Sequence, residues 1–513
     1  MIEIEPDGIA SGNARKIIGA SALQILSYGA QSLVILFLTP YMINRLGDYQ
    51  YGLWILLSTI VGYFALSEFG LSSAVQNHLS ICLGRGDDGG FRRVFSNSLL
   101  LYALISLAVL GVAGVGLGIV QLLKHRFADP PLLSGVLLLL ALNLSLSFVF
   151  YPYTSVLISH LRLDLTAGIA VVQLLLNAGL TVVVLQRGFG LVMLALASLG
   201  AGLAANVLIF TTARRTVPDL NFRRAHINRR TLRSLSRYSG KTFLVQAGDI
   251  LRFKIDEITT GALISVNQVT HYNLANRLVT ASNGLSSTLL RILNPLFAQY
   301  VGMQNPQKLR ASFLLSFKLT AALSALIFAA LVILGRPFIR LWLGPGYLDA
   351  YLPLVLLGGS YLVARSQSPS ISLFYATDQH HQFAYLNFFE GIGNLALTLI
   401  FVVGYQLGIT GVALGTLVSV LVTKLFLQPL LVLRLVDVSL VDYYGLLLRS
   451  FASAGLLYGL LYLGGRNFEL TTYVQFGLVL TLLLGLFMMH TLLLLDNRER
   501  GLALAALRQN LWR

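Results

Sequence analysis

An all-α membrane protein of about fourteen transmembrane helices is the fold class this sequence predicts. Apolar runs of roughly 18 to 25 residues recur from Ile17 to Leu495, and each can cross about 30 Å of hydrocarbon as a helix. Composition agrees: of the 513 residues, 56% are hydrophobic and 11% are charged, whereas an ordinary soluble domain is about a quarter charged. The mean hydropathy is +0.75. The short strand-length alternation of an outer-membrane barrel is absent.

Taken in order, hydropathy and loop signals place spans near 17–40, 51–80, 94–121, 132–158, 166–186 and 189–213. These six make a first lobe, residues 1–213. The first run, Ile17 to Pro40, exceeds a signal-peptide core and lacks a small-residue cleavage site, so it reads as an uncleaved first span. A basic linker, 214–237, leads to a second lobe, 238–433, with spans near 239–263, 269–298, 311–334, 350–375, 382–404 and 410–433. Two further spans, 445–464 and 471–495, occupy 434–495. The tail, 496–513, reads as a short amphipathic interfacial helix.

The formal net charge of +16 could suggest nucleic acid, but the basic residues sit in short loops between apolar runs, with no aromatic platform interleaved. Alternate loops carry about 21 Lys and Arg on the side of both termini and about 7 on the other, so the positive-inside rule puts both termini in the cytoplasm. The linker's Arg223, Arg224, Arg229, Arg230 and Arg233 suit anionic headgroups. Cys82 is the only cysteine, which excludes an internal disulfide and a multi-cysteine metal site; no metal or cofactor is expected. No P-loop is found, and the Gly84 to Gly90 loop around Asp87-Asp88 is too short to hold a donor nucleotide. Long extramembrane loops, expected of a glycan ligase or polymerase, are missing too, so the protein is not expected to be an enzyme.

One internal offset, 218 residues, recurs. Phe91-Arg92, Phe95, Ser98 and Leu101 align with Leu309-Arg310, Phe313, Ser316 and Leu319. Gly190-Leu191, Ala195-Leu196 and Ser198 align with Gly408-Ile409, Ala413-Leu414 and Thr416, while Gln50 and Trp54 match Gln268 and Tyr272. Pro152 and Pro369 fall within one residue of the same offset and predict a kink in spans 4 and 10. The pattern predicts two six-helix lobes duplicated in parallel. Six is even, so they share one orientation about a pseudo-twofold axis along the membrane normal.

Charged side chains at membrane depth cost about 2.5–3.5 kcal/mol each on insertion scales and mark cavities or partners. Span 7 places Asp249, Arg252 and Asp256 within one arc of a helix, with Lys254 and Glu257 to the side. Span 8 adds Arg277 and Arg291; Lys318, Arg365 and Lys424 add cations in spans 9, 10 and 12, and Glu390 is an acid in span 11. The first lobe offers Glu68, with Gln76, Asn77, His78, Asn143 and Asn177 able to hydrogen-bond hydroxyls. The candidate cavity set is therefore Arg252, Asp249, Asp256, Arg277, Arg291, Arg365, Lys318, Glu68 and Glu390. Two blander accounts stand beside it: the span 7 charges neutralise one another, and Lys318 and Lys424 lie close enough to span ends to snorkel.

The segment Leu46-Gly47-Asp48-Tyr49-Gln50-Tyr51-Gly52-Leu53-Trp54, continuing to Glu68-Phe69-Gly70-Leu71, resembles the second span of Wzx-type polysaccharide (O-antigen) flippases of the multidrug/oligosaccharidyl-lipid/polysaccharide (MOP) exporter superfamily. Asp256-Glu257-Ile258, Tyr272-Asn273-Leu274-Ala275-Asn276-Arg277-Leu278 and Gly408-Ile409-Thr410-Gly411-Val412-Ala413-Leu414-Gly415 are similar to that family's second lobe. The likeness covers roughly residues 15–495 and rests on loose glycine and aromatic patterns. It implies export of an undecaprenyl-diphosphate-linked oligosaccharide across a bacterial inner membrane for lipopolysaccharide or other surface glycan, with polysaccharide assembly proteins as partners. A small-molecule antiporter or lipid II flippase on the same scaffold, and a membrane glycosyltransferase or polymerase, are the alternatives.

Overall fold

In the computed structural model the backbone is described at residues 7–68, 70–122, 124–126, 129–218, 220–281, 293, 296–377, 379–465, 470–497 and 499–500, and the side chains there except at 7–28, 66, 126, 238–254, 380, 465 and 473. No strand occurs among these residues. Ten helical stretches among them are long and apolar enough to cross a membrane. The chain divides into two compact units, Met1–Ala247 and Gly248–Arg513.

In the first unit, helix α1 (Asp7–Phe64) is interrupted at Gly47, whose φ of 74° and ψ of 168° lie in a region that costs other residues about 1–3 kcal/mol. Gly47 therefore ends the first span and starts the second. The second span is itself broken. A 3-10 turn (Ala65–Glu68) and the left-handed Gly70 precede α2 (Leu71–Arg85), where the Ser72 N–H donates to Glu68 Oε1 at 2.8 Å. Helices α3 (Asp88–Leu122), α4 (Pro130–Ser159), α5 (Leu163–Gln186) and α6 (Leu191–Thr216) follow. Asp129 accepts from the Leu132 N–H, and Pro130, which has no N–H to satisfy, opens α4. Pro152 lies inside an uninterrupted α4. Leu79, Phe95, Tyr102, Phe148 and Leu157 form the core of this unit. Large apolar side chains such as Val115, Leu175 and Val207 point outward, as a lipid-facing surface requires.

In the second unit, α7 (Arg229–Leu263), which begins in the first unit, leads through a short turn into α8 (Val266–Ala281). Then come α9 (Pro306–Trp342), α10 (Tyr351–Ser366), α11 (Ser368–Ala376), α12 (His380–Leu399), α13 (Gly408–Val420), α14 (Gln428–Val436), α15 (Leu440–Gly465) and α16 (Tyr473–Leu494). The last two pack against α9 through Ala325, Leu326, Ala329, Ala454, Tyr458 and Leu483.

Proline shapes two places here. Pro369 removes the donor that would reach the Arg365 carbonyl; the helix breaks at Gln367, and the Ser368 hydroxyl donates to that carbonyl at 2.7 Å. The kink expected in span 10 is thus a break. Pro429 likewise orphans the Leu425 carbonyl, in a π-helical stretch, Leu421–Leu427, that joins α13 to α14. Tyr444 Oη donates to it at 2.5 Å. Tyr444→Phe would leave a partly buried carbonyl without this donor and is expected to lower stability by about 1 kcal/mol, read as a lower melting temperature in detergent; an unchanged melting temperature would mean the bond carries nothing.

Candidate functional site

A cavity of about 290 Å³ opens inside the second unit, lined by Asp256 from α7, Arg365 from α10, Thr416 from α13, and Lys424 and Gln428 around the π-helical stretch. Two stripes of buried polar residues pack together behind its wall, which only Thr416 and Lys424 of them reach. On α12, Asn387, Glu390, Asn394 and Thr398 recur at three- and four-residue steps, and all are buried, so they share one helix face. Facing them, Thr416, Ser419, Thr423 and Lys424 are buried on the next span. Gly415 lets these helices meet: a Cβ there would lie 2.9 Å from Thr398 N and 3.1 Å from its Cα. Any larger residue would separate the stripes.

Asp256 is met from three helices. Its Oδ2 accepts from Tyr272 Oη at 2.6 Å and Thr416 Oγ1 at 2.9 Å, and its Oδ1 accepts from Asn394 Nδ2 at 2.9 Å. Next to it, Glu257 accepts from Asn273 Nδ2 at 3.0 Å and Asn276 Nδ2 at 3.3 Å, and Arg277 Nε donates to Asn273 Oδ1 at 2.8 Å. The paired segments 256–258 and 272–278 are therefore one hydrogen-bonded zipper between α7 and α8.

Deeper along the wall, Lys424 Nζ lies 3.3 Å from Glu390 Oε2 and donates to Asn387 Oδ1 at 2.9 Å. The Thr423 hydroxyl also donates to Glu390, and the ammonium stands 5.1 Å from the centre of the Phe383 ring. Arg365 stacks over Tyr361 at 5.5 Å. Cations and acids thus converge on and behind one cavity wall within a unit whose helices are long enough to span a membrane.

Residues 46–352 match the model of a family described as Polysaccharide biosynthesis protein. The chain belongs to this polysaccharide biosynthesis protein family. The uncharacterized membrane protein EpsK of Bacillus subtilis (strain 168) is 25% identical over 407 residues, 78% of this chain and 79% of that one. Among solved structures, a multidrug resistance MATE family transporter of the MOP superfamily, in an inward-facing conformation, has a TM-score of 0.64 at 16% identity, covering 82% of this chain and 99% of that one. The lipid II flippase MurJ, in an inward closed conformation, has a TM-score of 0.70 at 14% identity, covering 96% and 100%. At these identities the likeness shows the fold, which is that of the MOP transporters. This member of the polysaccharide biosynthesis family therefore shares the fold of those transporters, and it is a multi-pass membrane protein.

Of the residues singled out in the sequence, Asp256 and Arg365 line the cavity, and Glu390 stands behind it holding Lys424. Arg277 is half-buried in the adjoining zipper. Asp249 and Arg252 lie on α7, continuous with Asp256, but their side chains are outside the described residues, as is Arg291. Lys318 is elsewhere: its Nζ bridges Asp496 Oδ2 at 3.0 Å and Glu499 Oε2 at 2.8 Å, tying the start of the C-terminal tail to α9. The remainder of the tail, 501–513, is outside the described residues. Glu68 belongs to the first unit, where it also accepts from Tyr102 Oη at 2.9 Å. Tyr272, Asn394, Thr416 and Gln428 were not singled out as charges are, yet the 387–390–394–398 spacing was there to find.

The Glu390–Lys424 pair is nearly inaccessible, at 0% and 3% side-chain exposure. Removing one partner strands a buried charge and costs about 3–5 kcal/mol, whereas removing both is far milder. Lys424→Met is expected to reduce the folded protein recovered from membranes, and Glu390→Gln with Lys424→Met to recover most of it. Equal losses in the single and double variants would show that the pairing does not matter.

Proposed function

We propose that this protein is a flippase that moves a polyprenyl-diphosphate-linked oligosaccharide from the cytoplasmic to the periplasmic leaflet of a bacterial inner membrane. The observation that supports it most is the pair of cations, Arg365 and Lys424, on the wall of a cavity in a member of a polysaccharide biosynthesis family. A diphosphate carries about two negative charges, and taking ions out of water costs several kcal/mol each unless they are paired. Cations fixed along the path offset that cost. Alternating access is the proposed mechanism, with fourteen spans, duplicated six-helix lobes (1–213 and 238–433), and the polyprenyl tail remaining in lipid while the head crosses. Export serves lipopolysaccharide or another surface glycan. Arg252, Asp249, Asp256, Arg277 and Arg291 join Arg365 along the proposed path.

Loss of the protein should leave lipid-linked glycan intact inside the cell and abolish surface glycan. Arg365→Ala at normal abundance is expected to cut export by roughly ten- to hundredfold, the equivalent of a charged hydrogen bond of about 1.5–3 kcal/mol, and Arg365→Lys to retain part of it because charge survives without the bidentate fork. Normal surface glycan in Arg365→Ala cells would remove this residue from the path. Resistance to cationic drugs falling while glycan stays normal would favour a small-molecule antiporter.

Both termini and the basic linker are proposed to face the cytoplasm. Arg229, Arg230, Arg233 and Arg237 gather around a surface recess of about 470 Å³ at the start of α7, suited to anionic headgroups of that leaflet. In a Cys82→Ser background, Asn221→Cys should resist an impermeant thiol reagent in intact cells and react in inverted vesicles; the reverse pattern would overturn the orientation.

A further inference from the structure

Gln428 is a polar side chain without a protein partner, in a place where that is costly. It is 1% exposed, it lines the cavity of the second unit, and neither its Oε1 nor its Nε2 has a hydrogen-bond partner among the described residues. A buried amide left this way forfeits hydrogen bonds that water would have made, and such groups in native proteins call for a specific explanation. The surrounding backbone is not in the same condition, since the carbonyl orphaned by Pro429 is taken by Tyr444. The unmet demand therefore belongs to the amide, which offers two donors and an acceptor.

What it faces is chemically particular. Arg365 and Lys424 bring two cationic side chains to the same wall and Asp256 one carboxylate, with Glu390 paired to Lys424 from behind. Tyr375 adds an exposed aromatic ring to the lining, against which the C–H face of a sugar can lie. The volume, about 290 Å³, is at the lower end of the roughly 300–1,000 Å³ of small-molecule sites. It has room for a single sugar ring with a phosphate, and none for an oligosaccharide.

We propose that this cavity is a subsite for one glycosyl phosphate unit, in which Arg365 and Lys424 take the phosphate and Gln428 reads a hydroxyl or N-acyl group of the attached sugar. The proposal rests on the flippase reading and narrows it: only the sugar joined to the phosphate is inspected inside this unit, and the rest of the glycan passes uninspected by it. Selectivity of this kind arises because a site built to hydrogen-bond a substrate group leaves its own polar atoms unpaired when that group is absent.

The test uses the purified full-length chain in nanodiscs and follows its melting temperature with glucosyl, galactosyl and N-acetylglucosaminyl phosphates, inorganic phosphate and free glucose as probes. At least one glycosyl phosphate is expected to raise the melting temperature more than inorganic phosphate or free sugar does. Gln428→Met is expected to melt higher than the natural protein without ligand, because an unpaired buried amide has been removed, and to lose the extra increment from the glycosyl phosphate while keeping the increment from phosphate. A lower melting point for ligand-free Gln428→Met would show that the amide is already satisfied and would overturn the proposal. So would equal protection by phosphate and every glycosyl phosphate, or no protection by any. Failure of the wider reading looks different: selective glycosyl phosphate binding in a protein that moves no lipid-linked glycan would retire the flippase and keep the subsite.

Discussion

A carboxylate buried among apolar helices must be met by donors, and the demands of Asp256 organise the second unit. Three helices supply those donors, Tyr272, Asn394 and Thr416, and each must approach within hydrogen-bond reach. Gly415 lets α12 and α13, which carry two of these donors, pack closely. The polar stripe on α12 and its counterpart on the following span then carry the same logic inward, ending in Lys424 and Glu390. Nothing in a purely apolar core would require such register. Burial makes the network expensive to leave half-made and rigid once complete.

That expense is informative about function. An ion pair held at such depth adds little net stability, since well-packed apolar residues could replace it at no loss. Asp256, Arg365 and Lys424 all reach a cavity wall, which is where charge is useful to a passing polar group and nowhere else. The π-helical stretch Leu421–Leu427 adds to this reading, because such widened turns concentrate at functional places, and this one presents Lys424 and ends at Gln428.

Much of this was legible in the sequence, for definite reasons. The membrane class and the apolar runs follow from composition and length alone. Gly47 and Gly70 stood out in a recognisable motif, and the structure gives both positive φ; but that the second span breaks at 65–70 was hidden, because Ala65 to Leu71 contains no proline and reads as continuous helix. Pro152 and Pro369 looked alike in sequence and act differently, one inside an unbroken helix, the other just past a break at Gln367. Charge was the guide to Asp256 and Arg365, which line the cavity, and to Glu390, which stands behind it. It could not tell Lys318, whose partners Asp496 and Glu499 lie some 180 residues further along, from Lys424, which itself lines the cavity. Neutral residues such as Gln428 escaped because a single amide in an apolar run carries no signal until its neighbours are known.

Transport of an intact lipid-linked glycan is the central claim, and reconstitution tests it most directly. The purified chain is placed in liposomes carrying the lipid-linked oligosaccharides extracted from its host's membranes, and an impermeant glycosidase is added outside. The account predicts that digestion proceeds past the outer-leaflet fraction to nearly the whole pool, and that Lys424→Met with Glu390→Gln, though folded, slows this exchange. Digestion that stops at the outer-leaflet fraction with the natural protein, as in protein-free liposomes, would contradict the account.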